Sequence, residues 1–511
     1  MQEAQIGKFA AHYRLPHSAI AARQRLDQVM LLVLDEMFER ALEEAGLPED
    51  GELCLSNIHV SIRLPLTRAD ASLAAEWGRE LAGEILRAMR DRRAVFYRSR
   101  RHALIDLVVS VGRGDLSRAW AWRQLGLWRA GNAAGASEAI FELVRSISSD
   151  PVAVIPALIA LAEAGCLERI ARRFTPRHWM TLAAAALSEA DGDGLVKEAP
   201  DSPSSRAARD AMRMINSSRL LPAITASQSL TVQNPEACRA AAALVALEVE
   251  PARLKSESAR EVVGLIAAAI RSAITELSPS LPEMPVARQG ANRKAVNETP
   301  REGARPIAPD MATESPRTTG APAIKRESGQ HLGQNTLEGV DRRRRSLTRF
   351  GGLLFLLGMV EELKLALEIL AHPELGARPF RWVMIRLALA LAPVEENDPA
   401  ALAFAGLPPD TERSLDHEPP SETETGAINS LAARIVERLG VLIDQSGEWS
   451  GDRASLIEFV CHRSAEIVAE PGWIDVRFSL DEVATEIRRA GLDLDPGYTP
   501  WLGVVVRFIY E

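Results

Sequence analysis

The amino-acid sequence predicts a mainly α-helical protein in which β-structure is confined to the two ends. Three observations support this fold class. Apolar residues recur at intervals of three and four through most of the 511 residues, which is the spacing of amphipathic helices. Strict alternation of apolar and polar residues, the period of a half-buried strand, occurs only in short segments near each end. One long proline-rich stretch contains no aromatic residue, so it separates two folded parts.

Residues 1–100 are predicted to form an N-terminal helix–strand–helix unit. Helical spacing of apolar residues over 19–45 ends at Gly46 and Pro48, two residue types that stop helices. Residues 53–64 then alternate between apolar and polar side chains. This alternation predicts a half-buried strand that follows the first helix.

A second helix is predicted to begin near Asp70, because Thr67 and Asp70 have the spacing of a capping box. Apolar residues at every fourth position, from Leu73 to Met89, continue this helix. A second short strand is predicted at Ala94–Arg98. Since one strand is not stable alone, the first strand is expected to pair with another segment or another chain.

Residues 101–277 are predicted to form an irregular helical array. The pairs Asp150–Pro151 and Thr175–Pro176 are typical of helix starts, with proline at the first helical position. The spacing of the helices follows no fixed period, so no named repeat family is indicated. The predicted amphipathic helices cover residues 116–130, 136–148, 151–164, 177–188, 206–217, 235–247 and 257–277.

Residues 278–345 are predicted to be a disordered, proline-rich linker. The stretch is dominated by polar residues and lacks phenylalanine, tryptophan and tyrosine. It therefore buries too little apolar surface to offset the entropy lost on ordering. The basic run Arg342–Arg345 is interpreted as the solvated flank of this linker.

The residues after the linker are predicted to form a helical segment at 346–407, a polar loop or linker at 408–426 and an α+β unit at 427–511. Two apolar runs that flank Glu470–Pro471–Gly472 predict a β-hairpin with a longer turn, and the apolar run after Val504 predicts a terminal strand. Helices are predicted at 347–371, 379–393, 427–445, 452–462 and 480–490, the last of them capped by Ser479 and Glu482.

Charge and hydropathy limit the classes of partner. The formal net charge is −9, so the chain lacks the basic field that holds a phosphate backbone, and nucleic acid is not expected as the main partner. No uninterrupted apolar stretch reaches the length of a membrane span. The N-terminus lacks the apolar core of a signal peptide. A cytoplasmic protein without a membrane span is therefore predicted.

The sequence contains no motif of a known catalytic or cofactor site. Gly-rich phosphate loops, the GxSxG nucleophile elbow and the HExxH zinc motif are all absent. The four cysteines, Cys54, Cys166, Cys238 and Cys461, are widely scattered, which favours buried reduced thiols over a zinc site or disulfides. We expect no enzyme activity, no cofactor and no bound metal.

Three tryptophans, Trp120, Trp122 and Trp128, form the densest aromatic cluster in the chain. Two turns of helix separate Trp120 from Trp128, so these two side chains can share one helix face, with Gln124 between them. Core packing is one interpretation. The other is a partner-binding patch, since tryptophan is enriched among interface anchors.

Several segments resemble the tape measure family of bacterial contractile injection systems. The front match is a helix at 19–45 followed by LCLSNIHVSIRLPL, although the family's strand often carries an acidic residue where this chain has Ser56 and Asn57. The tail provides the more specific match. The C-terminal segments are Arg349–Leu363 (RFGGLLFLLGMVEEL), Trp473–Phe478 (WIDVRF), Arg488–Pro496 (RRAGLDLDP) and Pro500–Glu511 (PWLGVVVRFIYE).

The resemblance implies a part in a phage-tail-like machine, in which a contractile sheath drives an inner tube through a membrane. Tube, sheath or baseplate subunits would be its partners, and self-association is left open. A tape measure is expected to lie extended in the tube, whereas the prolines, strands and linker of this chain predict compact domains. We therefore expect a folded assembly, cap or baseplate-associated factor, in the cytoplasm or in the assembled particle.

Two other interpretations stay open. One is a general helical scaffold or adaptor that belongs to no injection machine. The other is an enzyme whose site is assembled from residues far apart in the sequence. Neither is indicated by a specific motif.

Overall fold

Helices make up most of the ordered elements of the computed structural model, which confirms the mainly α-helical prediction. The strands form one two-stranded and one five-stranded sheet. The structure describes residues 10–15, 22–44, 51–91, 93–131, 135–188, 204–231, 233–277, 343–411, 418–444, 451–482 and 484–511. The predicted linker falls almost entirely outside the described residues.

Two helical segments pack against each other at the N-terminal end. The segment predicted at 19–45 is helical, with a π-helical turn at Val33–Met37. Its core partner is the helix predicted from Asp70, and the side chains of Val33, Leu73 and Trp77 are buried between them. These helices are α1 (Ala22–Leu32), α2 (Phe38–Glu44) and α3 (Asp70–Arg90).

The capping box predicted for α3 is wrong. Ala69 is the N-cap residue, and no side chain caps the helix. Asp70 instead receives a hydrogen bond from Arg25 Nε of α1 at 2.6 Å. The guanidinium therefore ties the start of α3 to α1.

The N-terminal strand is shorter than the predicted 53–64. Strand β1 (Glu52–Leu55) pairs antiparallel with β2 (Ala94–Tyr97), which confirms the second short strand. Residues 57–65 belong to no described helix, turn or ladder. Their alternating side chains lean on the helices of this region instead, because no described strand lies beside them to complete a ladder.

The helical array is confirmed as a set of short, irregularly spaced helices. The predicted helix at 116–130 is wrong in length, because α5 ends at Gln124 and Gly126 follows with a φ of 69°. Asp150 does not cap its helix start, which is a 3-10 turn at Pro151–Ala153. The helices are α4 (Arg100–Arg113), α5 (Ala119–Gln124), α6 (Ala136–Ser148), α7 (Val154–Glu163), α8 (Leu167–Ala171), α9 (Pro176–Ser188), α10 (Ser205–Ser217), α11 (Leu221–Thr225), α12 (Pro235–Val249) and α13 (Ala259–Leu277).

The basic run is not a solvated flank throughout. Strand β3 (Arg344–Thr348) is part of the five-stranded sheet and pairs with residues 465–469. Arg343 and Arg345 form ion pairs with Glu470 and Glu466 across this pairing. Two rows of opposite charge on neighbouring strands therefore draw the end of the basic run into the fold.

One continuous helix at 347–371 was predicted, and this prediction is wrong. A 3-10 turn at Gly351–Leu356 precedes two short helices, which are separated by Lys364 in the left-handed conformation. A Cβ on Gly352 would overlap the carbonyl of Val460, so the chain approaches a neighbouring helix too closely for a side chain. The two helices are α14 (Leu357–Glu362) and α15 (Leu365–Ala371).

Four more helices complete the α-helical part. The helices predicted at 379–393 and 452–462 are confirmed. The helix predicted from residue 427 starts earlier, because Ser421 and Glu424 form a capping box inside the segment predicted to be a loop. The helices are α16 (Phe380–Leu391), α17 (Pro399–Phe404), α18 (Glu422–Ile443) and α19 (Arg453–Cys461).

The five-stranded sheet confirms the predicted hairpin and terminal strand. The hairpin turn is tighter than predicted, since Glu470 pairs directly with Trp473. The predicted helix at 480–490 is reduced to a 3-10 turn and the short helix α20 (Thr485–Arg489), whose N-cap is Ala484. The strands are β4 (Ala465–Glu470), β5 (Trp473–Phe478), β6 (Gly497–Thr499) and β7 (Val504–Tyr510), in the order β3-β4-β5-β7-β6.

Residues on both sides of the undescribed 278–342 segment share one compact unit. Trp473 of β5 is buried in the core of the helical array, and Ala252 is buried in the core of the C-terminal part. The two cores are therefore in contact through side chains that come from opposite sides of that segment.

Candidate functional site

The tryptophan motif lies at the contact between the helical array and the small N-terminal sheet. Trp122 and Trp128 are buried, with exposures of 0% and 1%, and their rings meet edge to face at 6.1 Å. Trp120 is half-buried at the edge of the same core. Gln124 Nε2 donates to the backbone carbonyl of Leu55 at 2.7 Å, so α5 is also tied to β1.

Trp122 belongs to a buried hydrogen-bond network centred on Asp106. Tyr97 OH and Trp122 Nε1 both donate to Asp106 Oδ2, at 2.7 and 3.1 Å. Arg118 Nη1 donates to Asp106 Oδ1 at 2.6 Å. Burial, followed by the Asp106 charge, raises the pKa of Tyr97 well above its ordinary value, so the phenol stays protonated.

This geometry separates the three tryptophans. Trp122 and Trp128 have no surface to offer a partner in this conformation, and their packing and hydrogen bonds are those of core residues. Of the three, only Trp120 keeps part of its side chain exposed. A partner-binding role for Trp120 stays a prediction.

The segments that resemble the tape measure family converge at the five-stranded sheet. Phe355, Phe478 and Phe508 come from three different segments, and their ring centroids lie 5.0 to 6.0 Å apart. Arg507 forms two hydrogen bonds of 2.9 Å with Asp475 between the parallel strands β5 and β7. These motif residues therefore form one packed structural unit.

The hairpin of this sheet contacts the helical array. The guanidinium of Arg101 on α4 lies 3.1 Å from the ring centroid of Trp473. Burial, together with the nearby Arg507, lowers the pKa of Arg101 to about 10. A Cβ on Gly472 would overlap Pro156, so this glycine lets the turn approach α7 closely. The contact is a cation–π pair backed by close backbone packing.

A second junction is a cluster of buried charges around Glu250. Its Oε1 accepts a hydrogen bond of 2.6 Å from the Phe380 N–H, at the start of α16. Its Oε2 faces Arg213 at 2.9 Å and the buried Arg253 at 3.3 Å. One carboxylate thus satisfies a free N–H at a helix N-terminus and balances two guanidinium groups.

The same cluster extends to both sides of Glu250. Arg253 Nη2 donates to the Arg378 carbonyl at 2.8 Å, and Arg378 in turn holds Glu424 through bonds of 2.7 and 3.1 Å. Hydrogen bonding to Arg378 lowers the pKa of Glu424. On the other side, burial raises the pKa of Asp210, which lies 3.5 Å from Arg253. The cluster connects α10, α12, α16 and α18.

Sequence reasoning missed both networks. The pair Glu250 and Arg253, spaced three residues apart around Pro251, was a local signal that could have been noticed. The meeting of Asp106 with Tyr97 and of Glu250 with Phe380 had no signal in the sequence pattern, because each depends on how separate elements pack.

The thiols and titratable groups described here do not form a catalytic arrangement. All four cysteines are free and buried, as predicted. Burial raises the pKa of Cys54 and of Cys461 to about 12, so these thiols are protonated at neutral pH and weakly nucleophilic. Within the described ranges, no group of three or more His, Cys, Asp or Glu side chains is placed to hold a metal ion.

Membrane crossing was searched for in the described part of the chain. No single helix there is long and apolar enough to span a bilayer. One pair, α6 with the Pro151–Glu163 segment, has the length and composition but is bent by 113°.

Comparisons with known proteins gave no match. No family model matches the chain, and neither the curated proteins nor the solved structures contain a similar one.

Proposed function

We propose that the chain is a non-enzymatic assembly component of a phage-tail-like contractile injection system. It would act as an assembly, cap or baseplate-associated factor related to the tape measure family. The observation that supports this proposal is the convergence of the tail segments with the family resemblance on one sheet. Phe355, Phe478 and Phe508 meet there, which is expected if the motifs together specify one folded unit.

The packing favours an assembly factor over an extended ruler. A fully helical chain of this length would span roughly 770 Å at about 1.5 Å per residue. The longest described helix, α18, has 22 residues, and would reach roughly 33 Å by the same rule. The described helices on both sides of the undescribed 278–342 segment pack into one unit instead of forming a rod.

The proposed partners are tube, sheath or baseplate subunits in the bacterial cytoplasm, with the chain released or kept in the finished particle. The acidic net charge of −9 favours protein partners over nucleic acid. Trp120 is the residue we propose for a direct contact, since its half-exposed ring is the accessible member of the tryptophan motif.

Co-purification tests the proposal directly. The tagged full chain is co-expressed with the tube, sheath and baseplate genes encoded beside it, and the recovered proteins are identified by mass spectrometry. We expect at least one of these subunits to be recovered. Recovery of none of them, with other proteins bound instead, would favour the general scaffold.

Trp120→Ala tests the contact residue. We expect this variant to recover several-fold less partner at an unchanged unfolding temperature. Phe141→Ala is the matched control, because Phe141 is a large apolar side chain with 59% exposure on another helix. Equal recovery by Trp120→Ala and the wild-type chain would remove Trp120 from the interface.

Particle length separates an assembly factor from a ruler. Half of residues 278–342 are deleted, and particles are measured by electron microscopy. An assembly factor leaves particle length unchanged, while complete removal of the protein abolishes assembled particles. Particles that shorten in proportion to the deletion would show a ruler.

A further inference from the structure

Residues 57–65 form an extended segment with two distinct faces. No helix, turn or bend interrupts it. The apolar face carries four half-buried side chains, and the polar face carries exposed ones. The apolar side chains are those of Ile58, Val60, Ile62 and Leu64, and the polar ones are those of His59, Ser61 and Arg63. This period of two is that of a β-strand with one face toward a core.

The segment is held in place from below and at its C-terminal end. Ile62 and Leu64 pack against the core of α1 and α3. Arg25 Nη1 donates to the Leu66 carbonyl at 2.6 Å, and the Arg68 N–H donates to the Pro65 carbonyl at 3.0 Å. The position and orientation of the segment are therefore defined, although it belongs to no sheet.

The backbone of this segment is unpaired within the described chain. From Ile58 to Leu64, no N–H or carbonyl group has a hydrogen-bond partner among the described residues. A row of free donors and acceptors on a strand is a template for a further strand. A single strand also gains little stability until another one pairs with it.

We propose that Ile58–Leu64 pairs antiparallel with the same segment of a second copy of this chain, around a two-fold axis at Ser61. In this register Ile58 lies opposite Leu64, and Val60 lies opposite Ile62. Directly opposite residues point to the same face of an antiparallel pair. The apolar faces of the two copies therefore join into one surface that continues both cores.

The segment itself argues for a second copy as the occupant. Its pattern reads the same in both directions, with Ser61 at the centre, which is what a self-complementary two-fold interface requires. Pro65 has no N–H and ends the ladder. On the polar face, His59 lies opposite Arg63 and Ser61 opposite itself, so no two arginines face each other directly. The pairing does not depend on membership of an injection system.

Concentration and a proline substitution test the pairing. One pair of short strands buries less than the roughly 1,200–2,000 Å² of a stable interface, so we expect a concentration-dependent monomer–dimer equilibrium in analytical ultracentrifugation. Ser61→Pro removes a central donor from an exposed position. It should weaken dimerisation at least tenfold, whereas Ser61→Ala should leave it unchanged.

Cysteine cross-linking tests the register. Opposite Cα atoms in an antiparallel pair lie about 4.5–5.5 Å apart, within the range of a disulfide. Ser61→Cys should therefore form a linked dimer on oxidation. His59→Cys is the matched control on the same face, because its two copies would lie roughly 13 Å apart at about 3.4 Å per residue. A mixture of His59→Cys and Arg63→Cys chains should link to each other.

Each result decides for or against the proposal. A chain that is monomeric at every concentration, or a dimer that Ser61→Pro leaves intact, overturns it. If Ser61→Pro loses its circular dichroism signal, the cross-linking arm decides alone. Linking of His59→Cys as fast as Ser61→Cys would show random collision and overturn the register. Linking of Ser61→Cys to another protein of the injection system in place of a second copy would assign the segment to that protein.

Discussion

Two buried aspartates, Asp106 and Asp210, both lie beside arginine, and they differ in how fully their oxygens are hydrogen bonded. Asp106 has donors on both oxygens, namely two aromatic side chains and one guanidinium. Asp210 accepts one bond on Oδ1, from Arg213, while its Oδ2 has no hydrogen-bond partner among the described residues. The nearest charge to Oδ2 is Arg253, at 3.5 Å.

The difference follows from where the partners come from in the chain. The partners of Asp106 all lie between residues 97 and 122, within neighbouring elements that one stretch of chain positions together. The cluster around Asp210 and Glu250 joins residues from 210 to 424, on both sides of the 278–342 segment. A local network can satisfy every oxygen, whereas a cluster shared by distant elements meets several packing requirements at once and leaves atoms unbonded.

The largest expected effect tests the distant cluster. Glu250→Ala removes the acceptor of Arg213, of Arg253 and of the Phe380 N–H, and it leaves Arg253 buried at 1% exposure. Removing one partner of a buried ion pair costs about 3–5 kcal/mol. Urea unfolding should show this loss in the free energy of unfolding.

The control for Glu250→Ala is Glu168→Ala, which breaks an exposed ion pair with Arg172 on α8. Exposed pairs contribute about 0–1 kcal/mol. A Glu250→Ala variant as stable as Glu168→Ala would mean that the cluster contributes nothing to holding the two sides together, and the comparison above would fail.

The second prediction concerns the local network. Asp106→Asn keeps the size of the side chain but places an NH₂ group, a donor, against one of three donors. Because the lost bonds include a charged one from Arg118, we expect a cost of about 1.5–3 kcal/mol. Tyr97→Phe should cost less, since it removes one donor and leaves Asp106 with two. The opposite order in urea unfolding would contradict the role given to Asp106.

The third prediction is a pH dependence from Glu424. Its pKa is lowered in the folded protein by hydrogen bonds from Arg378. The folded state therefore binds the proton less readily than the unfolded chain, whose glutamates titrate near 4.5. This contribution to stability is fully present above that pH and is lost as the pH falls further, through the folded pKa.

Glu424→Gln isolates this contribution, because glutamine has no carboxylate to titrate. The fall in unfolding free energy between pH 5 and pH 3 should be smaller in Glu424→Gln than in the wild-type chain. Glu437→Gln is a control on the same helix, at a position where no ion pair is described. The same pH profile for Glu424→Gln and the wild-type chain would contradict the assignment.

The smallest effect is expected for Asp210→Asn. Burial raises the pKa of Asp210, so the folded protein disfavours its charged form, and removing the charge relieves that penalty. The weaker attraction to Arg213 and Arg253 acts in the opposite direction, and we expect a net change within about 1 kcal/mol. The matched pair Asp106→Asn and Asp210→Asn therefore sharpens the comparison. Equal losses in urea unfolding would show that the unbonded oxygen of Asp210 has no energetic meaning.

Amphipathic spacing predicted most of the fold because helix and hairpin signals are local. The helices at 379–393 and 452–462, the hairpin and the terminal strand each follow from short stretches of sequence. The failures depend on contacts between elements. Gly352 meets the Val460 carbonyl and breaks a predicted helix, and β3 becomes a strand because β4 offers matching carboxylates.

The candidate site was predicted in part for the same reason. The tryptophan cluster was visible in the sequence, and the structure places Trp122 and Trp128 in the core. Their environment depends on Asp106, which lies on a different helix and follows no recognisable spacing. Likewise, alternation in residues 57–65 indicated an extended segment, but not that it would lack a neighbouring strand in the described chain.

The buried contact between Glu250 and Phe380 has a consequence for how the polypeptide can be divided. Because side chains from before residue 278 and after residue 342 interlock, a single cut within the intervening residues should leave two fragments that stay bound. The peptide connection would then serve mainly to raise the effective concentration of one fragment around the other. The protein can accordingly be treated as a natural split pair, in which two separately produced fragments restore the whole by complementation.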